Sequence, residues 1–192
     1  MFYYNEAMAI SNVSTLLLPV PTKGNISLVI APRQVIEDLT AMLTSLALNS
    51  YMNLIDGGNL FDGYRLARMI RKQTPYVHQV LDNISLSRSF TCHQMTTLLR
   101  ELPANGTPLV VFGLFSTFLD ESVPFSQRRR PLNKSLSELQ RINVKSPVAL
   151  CVHLRHVPSG EDEQLLPLVL NIAQDIWQLE DPRPLSSQFS LF

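Results

Sequence analysis

The chain has 192 residues, of which 45% are hydrophobic and 17% are charged, and its 16 basic and 16 acidic side chains give a formal net charge of zero. With a mean hydropathy of +0.08, this composition excludes an intrinsically disordered chain, because such chains are highly charged and poor in apolar residues. A neutral chain has no overall field that attracts nucleic acid, so any such binding has to come from a local surface.

The apolar runs are too short for a membrane span, and the first residues lack the basic and apolar regions of a signal peptide. Two cysteines, Cys92 and Cys151, are too few for a disulfide framework. We therefore expect a soluble, cytoplasmic protein with one folded domain and no membrane partner.

Short apolar runs alternate along the chain with segments of helical periodicity. The runs predict buried strands at 26–31, 51–55, 84–87, 108–112 and 147–153, followed by an edge strand at 175–180. Helices are predicted at 35–49, about 61–74, 76–81, 92–102 and 132–144, while 165–173 is helical or extended and 113–131 is a long connection. This alternation predicts an α/β domain with a mainly parallel sheet at 25–180, between an N-terminal arm (1–24) and a flexible C-terminal tail (181–192).

An ordered series of short motifs points to a known family. They are GNI at 24–26, LIDGGNLF at 54–61 with RL at 65–66, VLDNI at 80–84, SRSF at 87–90 and HQM at 93–95. In this order and at these spacings they resemble the core of the RecA/RadA recombinases, over roughly residues 24–180. The resemblance implies a RecA-like core: a twisted, mainly parallel sheet flanked by helices.

The phosphate-binding loop of that family is missing. The family has a Gly-rich loop ending in Gly-Lys-Ser/Thr after the first strand, whose backbone N–H groups and Lys hold the phosphates. Here the stretch 31–38 reads APRQVIED, with Arg33 inside it and with Glu37 and Asp38 where the resemblance places Lys and Ser/Thr. Two carboxylates repel a triphosphate, and Pro32 removes a backbone donor.

Two further parts of the phosphoryl-transfer site are missing by the same comparison. The carboxylate that positions the attacking water falls at Gly58, and the acidic residue that helps hold Mg²⁺ falls at Gly113. His153 falls near the polar residue that senses the nucleotide in the family, a role that lapses without a nucleotide. These residues form a degenerate nucleotide site, so we expect no enzymatic activity and no cofactor, while weak nucleotide binding without hydrolysis stays open.

Other chemistry finds little support in the sequence. Asp56 ends a strand and is either an active acid or, as we favour, the cap of the turn that follows it; Asp62 and Asp120 are also isolated carboxylates. A zinc site built from Cys151, His153 and His156, with Cys92-His93, matches no standard spacing. We therefore expect neither a catalytic carboxylate nor a metal.

Basic residues concentrate after the fourth buried strand. Residues 123–145 carry six cations and one acid, Glu138, a net charge of +5; the cations are Arg128, Arg129, Arg130, Lys134, Arg141 and Lys145. The three consecutive arginines are predicted to lie in the long connection, which in the resembled family contacts single-stranded DNA. Arginine suits phosphate groups, and Phe125 would stack on a base. The alternative is an ordinary solvated surface loop.

Two other features remain open. Arg65, Arg68, Arg71 and Lys72 share one side of a predicted helix, and a solvated face is favoured over a second nucleic-acid or subunit contact. The C-terminal QFSLF at 188–192 is similar to the peptide with which bacterial polymerases and repair proteins bind the sliding clamp. There Gln188 would fix the register while Leu191 and Phe192 fill a pocket; alternatively, the tail folds back onto the domain.

Taken together, these features predict a non-catalytic RecA/RadA-like accessory protein of DNA repair, recombination or lesion bypass. Its expected partners are single-stranded DNA, a recombinase or polymerase and the sliding clamp. The alternative is a pseudo-ATPase interaction module that regulates a recombinase or polymerase without contacting DNA. The sequence is compatible with a monomer and with a homo- or hetero-oligomer.

Overall fold

The computed structural model describes residues 8–10, 21–32, 39–119, 123–153 and 163–179. Seven strands form one sheet in the order β1-β7-β2-β6-β5-β3-β4, and every neighbouring pair is parallel. The strands are β1 (Met8–Ile10), β2 (Ile26–Ile30), β3 (Met52–Asp56), β4 (Ile84–Arg88), β5 (Leu109–Phe112), β6 (Val148–Val152) and β7 (Asp175–Gln178). This arrangement confirms the predicted α/β fold and is compatible with a RecA-like core.

Helices cover both faces of the sheet. They are α1 (Thr40–Asn49), α2 (Gly63–Arg71), α3 (Val77–Leu81), α4 (Cys92–Glu101), a 3₁₀-helix (Leu114–Thr117), α5 (Phe125–Asn143) and α6 (Leu165–Leu170). None of the helices in the described ranges has the length and apolar character needed to cross a membrane.

The core consists of two apolar clusters separated by the sheet. On one face, α1, α2 and α3 pack on strand residues such as Val110 and Phe112. On the other, α4, α5 and α6 pack on strand residues such as Leu109 and Val111. All four residues of β5 are buried, as expected for a parallel strand covered on both faces. Continuous apolar runs were therefore a sound basis for predicting the central strands.

The last strand was predicted wrongly as an edge. β7 lies between β1 and β2, and its partners are Met8–Ile10 on one side and residues 27–30 of β2 on the other. β1 belongs to the segment predicted as an N-terminal arm, so no strand was available in the prediction to cover the outer side of β7. The hydropathy pattern of β7 alone does not reveal this pairing. Among the described strands, β1 and β4 form the edges of the sheet.

Helix α5 begins seven residues earlier than predicted, at Phe125 instead of Leu132. Pro131 was read as a boundary but lies inside the helix. A proline in a helix removes the hydrogen bond to the carbonyl four residues before it and crowds that carbonyl with its ring. Here the carbonyl is that of Gln127, a residue that is exposed to water. Consequently, the long connection predicted at 113–131 contains a 3₁₀-helix and the first two turns of α5.

Candidate functional site

Asp56 closes the turn that follows β3. Its side chain is 1% exposed; Oδ1 accepts hydrogen bonds from the N–H groups of Leu60 at 2.9 Å and Gly58 at 3.3 Å, and Oδ2 accepts one from Phe61 N at 3.3 Å. Buried polar groups are normally hydrogen-bonded, and these three backbone donors satisfy the Asp56 carboxylate within its own turn. These contacts confirm that Asp56 caps the turn.

Arg88 compensates the buried charge of Asp56. Its Nε lies 3.7 Å from Asp56 Oδ2, and the two residues are register partners at the ends of β3 and β4. The Arg88 side chain is 46% exposed, whereas that of Asp56 is fully enclosed. This pair could not be predicted from the sequence, because it depends on the parallel register of two strands, which only the assembled sheet defines.

Gly58 and Gly113 meet backbone to backbone at the carboxyl edge of the sheet. A Cβ at Gly113 would lie 2.8 Å from Gly58 N and 3.0 Å from Gly58 Cα, and Gly113 has a φ of +65°. A Cβ at Gly58 would lie 2.7 Å from Ser116 Oγ. Position 113, where the resembled family has a carboxylate, is therefore closed to a larger side chain unless the backbone shifts, whereas at position 58 the Ser116 side chain would have to move.

The neighbouring strand ends complete this edge. Gly113 N donates to Cys151 O at 2.9 Å, and Ala31 N donates to Val152 O at 3.1 Å. His153 follows β6 directly and is half-buried. The structure thus brings Gly58, Gly113 and the end of β6 to one edge, while Arg33, Glu37 and Asp38 lie outside the described residues and their predicted roles stay predictions.

The two cysteines do not share a site. Cys92 belongs to the cluster on the α4–α6 face of the sheet, whereas Cys151 belongs to the cluster on the α1–α3 face. Burial raises the pKa of the Cys151 thiol, which disfavours the thiolate that binds metals. Within the described ranges no group of three metal-ligating side chains occurs; His156 and Asp120 lie outside them.

The first turns of α5 correct the predicted DNA-binding loop. Arg128 is 6% exposed, and its Nη1 donates to Phe118 O at 2.9 Å. Its guanidinium carbon lies 5.9 Å from the centroid of the Phe125 ring, and that ring packs against the core cluster of this face. Arg128 therefore anchors the start of α5, which contradicts its prediction as a phosphate-binding residue of a loop. Phe125 lies in the helix and is half-buried, and its base-stacking role stays a prediction.

Three of the predicted residues remain on the outside of α5. Arg129, Arg130 and Lys134 are exposed, and none of them forms an ion pair with another described residue. Arg130 and Lys134 are four residues apart and so lie one turn apart on the same side of the helix. We refer to Arg129, Arg130 and Lys134 as the α5 cationic surface.

Arg141, farther along α5, has a structural role that the sequence did not reveal. Its Nη2 donates to the carbonyls of Leu102 at 2.9 Å and Leu99 at 3.2 Å, and its Nε pairs with Glu138. Those carbonyls belong to the C-terminal end of α4, where backbone acceptors lack partners within the helix. Arg141 thereby fixes α5 to α4. The spacing to Glu138 was the one sequence signal for part of this network.

The clamp-binding peptide, with Gln188, Leu191 and Phe192, lies outside the described residues, so its role stays a prediction.

No protein-family model matches the chain, and no curated protein matches it.

Proposed function

We propose that this protein is a non-catalytic RecA/RadA-like accessory factor that binds single-stranded DNA through the α5 cationic surface. The observation that carries the proposal is the exposure of Arg129, Arg130 and Lys134 without ionic partners in the described part of the chain. In a neutral protein such a group is a local source of positive potential. A partner recombinase or polymerase and the sliding clamp belong to the same proposal.

A rigid helix implies a particular mode of binding. Arg128 and Arg141 hold α5 to its neighbours at both ends, so the exposed cations are positioned before DNA arrives. Phe125 packs against the core cluster and is half-buried. The three cations of the α5 surface contact phosphates, and such contacts are independent of sequence and sensitive to salt.

The closed strand edge supports the non-catalytic part of the proposal. Phosphoryl transfer depends on groups that hold the metal and position the nucleophile. At Gly58 and Gly113, where the resemblance would place such carboxylates, the backbones pack against each other. This contact favours a protein that uses the architecture for binding rather than for hydrolysis.

The test is fluorescence anisotropy of a labelled 20-nucleotide oligothymidine at 50 and 200 mM salt, in an Arg68→Glu/Arg71→Glu background that removes the exposed arginines of α2 as a second source of binding. Three phosphate contacts give a slope of about −2.1 in log K against log salt, so the affinity should fall about 20-fold between these concentrations. Arg130→Gln/Lys134→Gln should reduce the slope to about −0.7 and weaken binding more than about tenfold at 50 mM salt.

A matched control removes two exposed cations elsewhere. Lys23→Gln/Arg100→Gln changes the net charge by the same amount. Both residues lie near the C-terminal end of α5: Gly24 N donates to Asn143 O, and Arg141 donates to the Arg100 carbonyl. The control should bind like the background protein. Equal binding with and without Arg130→Gln/Lys134→Gln in that background would contradict the proposal and favour an interaction module that does not use α5 for DNA.

A further inference from the structure

Helix α2 presents a second cationic surface, and this one contains an exposed aromatic ring. Its inward side carries Leu66 and Ile70, which are buried in the core. Its outward side carries Tyr64, Arg68 and Arg71, at the i, i+4 and i+7 spacing that aligns side chains along one side of a helix. Tyr64 is 90% exposed, and both arginines are exposed.

The charge of this segment is unbalanced. Between Asp62 and Asp82 there is no acidic residue, while the segment has four cations. Asp62 is occupied as the cap of α2, because its Oδ1 accepts from Tyr64 N at 2.9 Å and from Arg65 N at 3.1 Å. Arg68, Arg71 and Lys72 form no ion pair with a described residue.

Stabilisation of the helix accounts for only part of this pattern. Cations in the last turn interact favourably with the helix dipole, which suits Arg68 and Arg71. The dipole does not explain a tyrosine that is almost fully exposed in the first turn, nor Tyr76, which is 64% exposed just before α3. Exposed aromatic rings next to cations are the combination that binds single strands, through base stacking and phosphate contacts.

We infer that Tyr64, Arg68, Arg71 and Lys72, the α2 surface, bind a second nucleic-acid strand. The buried side of α2 joins the cluster shared with α1 and α3, while that of α5 joins the cluster on the other face of the sheet. The seven-stranded sheet therefore separates the two surfaces, and one molecule holds two strands at once. This goes beyond the proposed function, which uses α5 alone.

Strand bridging tests the inference. Protein is loaded onto an immobilised oligothymidine, unbound protein is washed away, and capture of a second, fluorescent oligothymidine is measured. Wild type should capture it. Arg68→Glu/Arg71→Glu and Arg130→Glu/Lys134→Glu should each still bind one strand but lose bridging. If Arg68→Glu/Arg71→Glu captures the second oligothymidine as well as the wild type does, the inference is overturned. That result would mean that two copies of the protein bridge the strands, each through its own α5 surface.

The stacking contribution is measured separately, in the Arg130→Glu/Lys134→Glu protein, where only α2 is left to bind. There Tyr64→Phe should retain the affinity and Tyr64→Ser should lower it at least about fivefold. Absence of any binding by Arg130→Glu/Lys134→Glu would overturn the inference while leaving α5 as the site. Loss of all binding in Arg68→Glu/Arg71→Glu, with the α5 variant unaffected, would instead refute the α5 proposal. Circular dichroism melts confirm that each variant is folded.

Discussion

Substitution of Gly113 by alanine tests the contact that closes the strand edge. Any L-residue at a φ of +65° costs about 1–2 kcal/mol in conformational energy. The new Cβ would also lie 2.8 Å from Gly58 N, a backbone atom that moves only with its turn. Overpacking of this kind costs about 1–3 kcal/mol, while the stiffer unfolded chain returns about 0.4–1 kcal/mol. We expect Gly113→Ala to lower the free energy of unfolding by about 1–4.5 kcal/mol.

Gly24 provides the matched control, since it has a φ of +87° but a Cβ there would meet no atom within 4 Å. Gly24→Ala should therefore cost about 0–1.5 kcal/mol, from the backbone conformation alone. Urea unfolding followed by circular dichroism measures both variants. Equal losses of stability would mean that the Gly58–Gly113 approach is not tight, and the conclusion that position 113 has no room for a carboxylate would fail.

Two further substitutions probe the structural carboxylate and the structural arginine, both by urea unfolding. Asp56→Asn places an amide donor toward backbone donors and removes the charge that Arg88 faces, so it should lower the free energy of unfolding by about 1–3 kcal/mol. Asp62→Asn is the control and should leave stability unchanged, because aspartate and asparagine are equally good at an exposed N-cap. An equal loss of stability in the two variants would contradict the role of Asp56. Arg141→Gln should lower the free energy of unfolding by about 1 kcal/mol, because the carbonyls at the end of α4 lose their donor. The control, Lys145→Gln, should change it by less than about 0.5 kcal/mol. Equal stability of these two variants would refute the contact between Arg141 and the α4 carbonyls.

The features that could be predicted from the sequence are those with local causes. β5 and β6 were predicted because buried parallel strands are continuous apolar runs. The turn cap at Asp56 was favoured because an aspartate bonds to backbone groups a few residues ahead of it. In both cases the interactions that decide the structure lie within one short segment.

The features that could not be predicted depend on distant parts of the chain. Arg128 is buried although arginines are mostly exposed, because its partner is the Phe118 carbonyl, which the 3₁₀-helix brings close. Arg88 faces Asp56 only once β3 and β4 are in register. The predicted DNA-binding residues therefore lie on a helix and not in a loop, and one of them, Arg128, is buried. A DNA-binding role of the exposed residues stays a prediction.

The register of the sheet has a consequence for synthesis on the ribosome. β2 pairs only with β6 and β7. Its residues therefore cannot form their strand pairs until distant partners have been synthesised: Val148 for Ile26, and Asp175 for Ser27. By contrast, β3, β4 and β5 pair among themselves within residues 52–112. The nascent chain can assemble β3, β4 and β5 early, while the apolar ISLVI segment of β2 waits, without a strand partner, until more than 120 further residues have been added. During that interval the apolar residues of β2 lack their native strand partners, and unpaired apolar strands of this kind favour aggregation and chaperone binding.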